Sequence, residues 1–178
     1  MEVRNSIGFT YNGGLTAGEL ENQFISGGDQ VCSVSLDSID RVGSRQNCSG
    51  PSRDFATRFT IDLVADASTT IQFGPDWGLG GAFYSDTASA DFVGDSWWSY
   101  NWDSSSVFEV NINKGSSVIN FIGWEGCCAG ANSARFSNDD GENWQTLAVT
   151  PAVVPEPAAL ILLGLGMLSI SLTGRKKI

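Results

Sequence analysis

Histidine is absent from all 178 residues of the sequence. Without imidazole the chain cannot build a Ser–His–Asp or Cys–His nucleophile, a zinc site with histidine ligands, or a histidine pH switch. The sequence also lacks the spacing of a phosphate loop, an EF-hand or a CxxC metal site, so we expect no catalytic residue, no bound metal and no cofactor. A glycoside hydrolase with paired carboxylates needs no histidine and is the enzyme alternative, although nothing in the sequence selects one pair.

Basic side chains are scarce as well. The chain has 10 Lys and Arg against 20 Asp and Glu, and residues 1–154 hold seven basic and nineteen acidic side chains. A nucleic-acid partner requires a basic surface to neutralise phosphates, which this segment lacks. We therefore exclude nucleic acid as a partner.

The remaining composition is that of a folded, turn-rich β protein. Charged residues make up only 17%, whereas there are 21 glycines, ten phenylalanines and six tryptophans. Short alternations of apolar and polar residues predict half-buried strands, and no long helical period precedes residue 158. The strands are predicted at 58–66, 69–74, 107–113, 117–125, 133–137 and 144–149. The simplest fold is an all-β antiparallel sandwich.

The C-terminal end has a different character. Residues 158–174 carry no charge over 17 positions, about 25 Å of helix, and are followed by Arg175, Lys176 and Lys177. A buried core helix is the alternative, but an apolar run against a basic terminus favours a transmembrane helix at 158–178. Three prolines predict a stiff linker at 150–157 before it. The basic end would stay cytoplasmic, so the preceding domain would face the outside.

The order of Pro155, Glu156 and Pro157, the apolar run and the basic cluster resembles the PEP-CTERM sorting signal of Gram-negative bacteria. This resemblance implies recognition and cleavage by an exosortase, a membrane-embedded sorting protease. It also implies an inner-membrane intermediate and then a place on the outer surface or in the extracellular matrix. Such proteins normally carry a signal peptide, which residues 1–30 do not provide, so we expect a start site further upstream.

The body also resembles a family. FTIDLVADASTTIQFGPDWGLGGAF, SWWSYNW and VFEVNINKGSSVINFIGWEGCCAG resemble the CCxG group of PEP-CTERM proteins, with Cys127, Cys128 and Gly130 as the name motif. In architecture the segment more distantly resembles the jelly-roll, PA14-like β-sandwiches of bacterial surface proteins. We expect an N-terminal β segment at 1–53 that joins a sandwich core at 54–149.

Four cysteines, Cys32, Cys48, Cys127 and Cys128, are expected to form disulfides outside the cell. Four cysteines allow three connectivities. We favour Cys32 with Cys48 and a vicinal Cys127–Cys128 bridge, because the CCxG motif recurs as a unit and Cys48 precedes a Gly-Pro turn. The alternative ties each adjacent cysteine to one of the N-terminal pair.

Aromatic residues are concentrated at Trp97, Trp98, Tyr100 and Trp102, and the loop GPDWGLGG contributes Asp76. Aromatic faces beside carboxylates and amides are suited to stacking and hydrogen bonding with sugar rings, so these residues are the candidate ligand platform. The alternative is structural, because alternation would place Trp98, Tyr100 and Trp102 on one strand face at the end of the sandwich.

The segment SNDDGENW fits an Asp-box turn through Ser137, Asp139, Gly141 and Trp144. We interpret it as a structural hairpin turn. Together these patterns predict an exported cell-surface or matrix protein with a structural or adhesive role. The alternatives are a carbohydrate-binding module for exopolysaccharide and, less favoured, a glycan-acting enzyme.

Overall fold

The computed structural model describes residues 1–6, 8–128 and 130–149. The predicted linker at 150–157 and the predicted helix at 158–178, with the Pro155–Pro157 motif and the basic end, lie outside these ranges. Within the described residues no helix is both long enough and apolar enough to cross a membrane.

The described chain forms two helices and twelve strands. The helices are α1 (Ala17–Ser26) and α2 (Ser44–Cys48). The strands are β1 (Glu2–Asn5), β2 (Gln30–Ser33), β3 (Phe55–Ala65), β4 (Thr69–Gly74), β5 (Asp76–Trp77), β6 (Gly81–Tyr84), β7 (Ser89–Phe92), β8 (Ser96–Trp97), β9 (Phe108–Ile112), β10 (Gly115–Glu125), β11 (Ser133–Ser137) and β12 (Gln145–Thr146).

The strands build an antiparallel β-sandwich. One sheet has the order β2-β1-β3-β10-β6-β7, the other β12-β11-β4-β9, and β5 and β8 form a short ribbon. The main core lies between the two large sheets, because alternate apolar side chains of each sheet point inward. Its members include Phe59, Ile61, Ile71, Phe73, Phe108, Val110, Ile119 and Phe121.

Trp77 on β5 closes one end of this core. Its side chain is 1% exposed, and its ring lies against the backbone of Gly81 and Gly123. A Cβ atom at either glycine would overlap the indole. The absence of side chains at these two positions therefore creates the space that the tryptophan fills.

No long helical period was expected before residue 158, and the structure adds a helix of ten residues, α1, that the sequence analysis did not predict. Helix α1 begins after Thr16, whose hydroxyl accepts a hydrogen bond from the Glu19 backbone N–H while the Glu19 carboxylate accepts one from the Thr16 N–H. This capping box replaces two missing intrahelical partners. The helix buries only Leu20 and Phe24, which pack with Tyr11, Trp124 and their neighbours on the outer face of the larger sheet.

Both disulfides occur in the favoured pattern. Cys32 on β2 is joined to Cys48 at the end of α2, with Cα atoms 5.8 Å apart, and Cys127 is joined to Cys128. The first bond ties the edge of the larger sheet to the loop that contains α2. The second forms an exposed bridge directly after β10, where Cys128 has a positive φ of 79°.

Candidate functional site

Aromatic and basic side chains meet in a cleft of about 280 Å³ at the β11–β12 side of the sandwich. Three chain segments contribute to it: the loop at 40–41, the turn at 98–102, and the hairpin of β11 and β12. The lining residues are Asp40, Arg41, Trp98, Tyr100, Trp102, Ser133, Ala134, Arg135, Trp144, Gln145 and Thr146. We refer to these residues as the aromatic cleft.

The turn at 98–102 brings together three of the predicted platform residues, but not as a strand. The strand β8 ends at Trp97, and Ser99 and Tyr100 have φ values of 54° and 57° in the left-handed region. The Asn101 N–H donates to the Trp98 carbonyl at 2.9 Å. The expected alternation along a strand is therefore wrong, because a tight turn folds the aromatic rings onto one another.

Trp98 forms the floor of the cleft. It is 3% exposed, its indole N–H donates to the Ala131 carbonyl at 3.0 Å, and its ring packs against Gly74. The rings of Tyr100 and Trp102 lie 5.3 Å and 4.6 Å from it. The structural interpretation therefore applies to Trp98, which is a core side chain. The ligand-binding interpretation applies to Tyr100, which is 51% exposed.

Two arginines complete the walls. The Arg135 guanidinium lies 4.4 Å from the centre of the Trp102 ring and 4.3 Å from that of Trp144. Arg41 lies 4.8 Å over the Tyr100 ring. Cation–π contacts of this kind hold both a charge and an aromatic face in fixed positions. Sequence reasoning missed both arginines, because nothing near them in the chain marks them.

The predicted Asp-box residues form a compact turn that positions Trp144. The Ser137 hydroxyl donates to Asp139 at 2.6 Å and accepts from the Gly141 N–H at 3.0 Å, and Gly141 has a φ of 88°. Hydrogen bonds from Ser137 and Asn143 lower the pKa of Asp139 to about 2. This network orients the start of β12 and with it the indole beside Arg135.

Trp97 and Asp76 belong to a different surface. They pair across the ribbon of β5 and β8, and neither lines the aromatic cleft. Trp97 is 57% exposed, whereas Asp76 is half-buried against Gly130 of the CCxG motif. Burial and then the charge of Asp95 raise the pKa of Asp76. The predicted ligand platform is thus split between two places.

Glu125 is a buried carboxyl that the sequence did not single out. It lies at the end of β10 and is 3% exposed. Its Oε1 accepts hydrogen bonds from the Gly78 and Cys127 N–H groups at 3.1 and 3.4 Å, while its Oε2 is buried and has no partner among the described residues. Burial raises the pKa of Glu125 to about 7. The side chain therefore links the glycine-rich loop to the vicinal disulfide.

Comparison with known proteins assigns the C-terminal segment. The family described as the PEP-CTERM protein-sorting motif matches residues 153–177. The chain carries a PEP-CTERM sorting motif. None of the curated proteins compared with the chain matches it. A crystal structure of the PA14 domain of the MpAFP antifreeze protein is similar, with 13% identity, a TM-score of 0.44, and coverage of 83% of this chain and 85% of that one.

A PEP-CTERM motif implies processing by exosortase-type machinery and export to the cell envelope or surface. The described domain of this PEP-CTERM chain is therefore part of an exported surface protein. Among the described residues no group of three or more His, Cys, Asp or Glu side chains is arranged to hold a metal ion.

Export makes the titration of Glu125 relevant, because the pH outside a cell varies. Its folded pKa of about 7 lies above the ordinary value of 4.5, so the folded state binds the proton more tightly. This group's contribution to stability is therefore full below about pH 4.5 and is lost as the pH rises to about 7. Glu125→Gln removes this titration, so the variant should not share the loss. Between pH 4.5 and pH 7 the unfolding free energy of the parent should therefore fall by on the order of 3 kcal/mol relative to that of Glu125→Gln, as measured by urea unfolding at each pH.

The matched control is Glu109→Gln, which removes the same charge from an exposed position on β9. If Glu125→Gln and the parent show parallel stability curves between pH 4.5 and pH 7, the pKa of Glu125 is not raised and this prediction fails.

Proposed function

We propose that the described domain is a non-enzymatic, adhesive module that binds polysaccharide in the aromatic cleft and connects an exported protein to the extracellular matrix. The observation that carries this proposal is the cleft itself, in which aromatic, basic and polar side chains of three chain segments converge and Tyr100 is 51% exposed. Sugar rings bind to such surfaces by placing their apolar faces on aromatic rings and their hydroxyls on polar side chains.

The backbone around the cleft supports a binding role. Arg41, Ser99 and Tyr100 all have φ values between 53° and 57°. A non-glycine residue in the left-handed region costs on the order of 1 kcal/mol or more, and such residues cluster at ligand sites. Three of them beside one cleft indicate that the placement of Arg41 and Tyr100 is maintained against a local energetic cost.

The C-terminal segment completes the proposal. Its apolar run is proposed to hold the chain in the inner membrane of a Gram-negative cell as a helix until an exosortase cleaves near Pro155–Pro157. Cleavage would release the domain to the outer surface or the matrix. A glycan-acting enzyme is the second candidate, and the release of reducing ends from a polysaccharide panel by the purified chain would favour it.

Trp102→Ala and Tyr100→Ala test the proposed binding role. Each variant is expected to lower the affinity of the full chain for the host's exopolysaccharide by about tenfold or more, because hot-spot aromatics carry much of the binding free energy. Affinity electrophoresis or calorimetry measures this change. Trp98→Ala is not suitable, because Trp98 is a core residue whose loss would unfold the site.

Trp97→Ala is the matched control. It removes an exposed tryptophan that lies five positions before Trp102 and does not line the cleft, so the affinity for the polysaccharide should stay at the parent level. If Trp102→Ala and Tyr100→Ala keep their fold, as measured by circular dichroism, and bind like the parent, the cleft is not the binding site.

A further inference from the structure

We infer that the polysaccharide bound in the aromatic cleft is acidic, and that Arg41 and Arg135 pair with the carboxylates of its uronic acid residues. This inference rests on the glycan-binding function proposed above and specifies the class of its ligand. Nothing in the sorting motif bears on it, so the cleft alone carries the argument.

The distribution of charge is the first step. Residues 1–154 contain only seven basic side chains against nineteen acidic ones. The ion pairs of the described residues involve Arg4 and Arg58, which contact Glu2 and Glu21. Arg41 and Arg135 form no ion pair within the described residues, even though carboxylates are abundant. Two of the few cations are thus placed in one cleft with their charge available.

The fixed position of Arg135 is the second step. Its guanidinium contacts the rings of both Trp102 and Trp144, and its Nε donates to the Gln72 side chain at 2.8 Å. The Gln72 amide in turn donates to Glu109 at 2.8 Å. Within the described residues both Nη atoms have no hydrogen-bond partner. A guanidinium fixed in this way presents its remaining N–H groups in the geometry that a carboxylate accepts in pairs.

Arg41 provides a second cation in the cleft. Its side chain is exposed and covers the Tyr100 ring, and its backbone N–H donates to the Ser133 hydroxyl at 2.8 Å.

The one acidic side chain that lines the cleft, among the described residues, is Asp40. The lining residues carry two positive charges against one negative charge. Burial lowers the pKa of Arg135, and the nearby charges of Asp103 and Glu109 act in the opposite direction, so these two carboxylates offset part of its charge. The excess of positive charge among the lining residues of a strongly negative domain favours an anionic ligand.

The aromatic rings explain why the anion would belong to a sugar. An inorganic anion would use the arginines alone, whereas Tyr100 and Trp102 add apolar faces next to each guanidinium. A uronic acid has both an apolar ring face and a carboxylate on the same ring. It therefore matches both features of the cleft at once.

The test compares two probes for the full chain in about 0.15 M salt, where distant surface carboxylates are screened beyond about 8 Å. One probe is the extracellular polysaccharide of the host, and the other is the same preparation after its carboxyl groups have been reduced to alcohols. We expect the reduced polymer to bind at least about tenfold more weakly, because charge-assisted hydrogen bonds are lost.

The variants are Arg41→Gln and Arg135→Gln, with Arg53→Gln as the control that removes the same charge from an exposed site outside the cleft. We expect about a tenfold loss of affinity for the untreated polymer in each cleft variant and no change in the control. Because Arg41 is exposed, Arg41→Gln remains informative if Arg135→Gln fails to fold.

The outcomes separate the two proposals. Equal binding of the untreated and the reduced polymer would overturn the inference and leave the glycan-binding function standing. Equal losses in Arg41→Gln and Arg53→Gln would also overturn it, because only the total charge would then matter. A parent chain that binds neither polymer would overturn the proposed function and the inference together.

Discussion

Replacing Pro155, Glu156 and Pro157 together by alanine is expected to leave the whole chain, including Lys177, in the membrane fraction of the host cell. The family match covers these residues, the apolar run and the basic end as one motif at 153–177. The proposed cleavage by an exosortase would require recognition of that motif. In the parent, intact-mass spectrometry should instead find a mature chain that ends near Pro155–Pro157. The expected effect is nearly complete, since an unrecognised tail is not cleaved.

Pro151→Ala is the control for this experiment. It changes a proline of the same segment that lies outside the matched residues, so the variant should be processed like the parent. A parent chain that keeps Lys177 in the mature protein would mean that the tail serves as a permanent anchor. Normal processing of the triple variant would mean that cleavage does not depend on the Pro-Glu-Pro motif.

The second large effect concerns stability. Gly123→Ala is expected to lower the free energy of unfolding by about 3 kcal/mol, because overpacking a closed core costs this much. The new methyl group would overlap the ring of Trp77, which is fully buried and lies against both Gly123 and Gly81. Relief would require the indole to leave its place over Phe73 and Phe108 in the core. Urea unfolding of the purified full chain measures the loss.

Gly18→Ala makes the same chemical change where no atom lies within 4 Å of the new Cβ atom. Because Gly18 is part of helix α1, alanine there should raise the free energy of unfolding by about 0.5 to 1 kcal/mol. The free energy of unfolding should therefore fall in Gly123→Ala and rise in Gly18→Ala. Equal stability of the Gly123→Ala and Gly18→Ala proteins would show that Trp77 does not restrict the space at Gly123.

Much of the sheet structure was predictable where each strand has one buried face. The alternation at 69–74 and 133–137 predicted β4 and β11 with correct bounds, because period-two burial is a property of the segment itself. Helix α1 was missed because two buried residues, Leu20 and Phe24, leave only a weak helical period. The Thr16–Glu19 capping box was the signal that could have located its start.

The candidate site was only partly predictable. The aromatic residues at 98–102 stand out as a local cluster, but their arrangement depends on the left-handed backbone at Ser99 and Tyr100. Arg41 and Arg135 lie 94 positions apart in the chain. Both line the cleft only because the loop at 40–41 and the strand β11 border it. Such a pairing is a property of the tertiary fold, which no short sequence window contains.

The pairing of β3 with β10 has a consequence for how the protein forms. All eleven residues of each strand are partners, and these partners are 50 to 70 positions apart in the chain. Contacts over such separations slow folding, because a long loop must be closed before the contacts stabilise it. The central pair cannot form until residues 115–125 have left the ribosome. Slow folding of this kind would suit an exported protein, because a chain that has not yet folded is easier to move across a membrane.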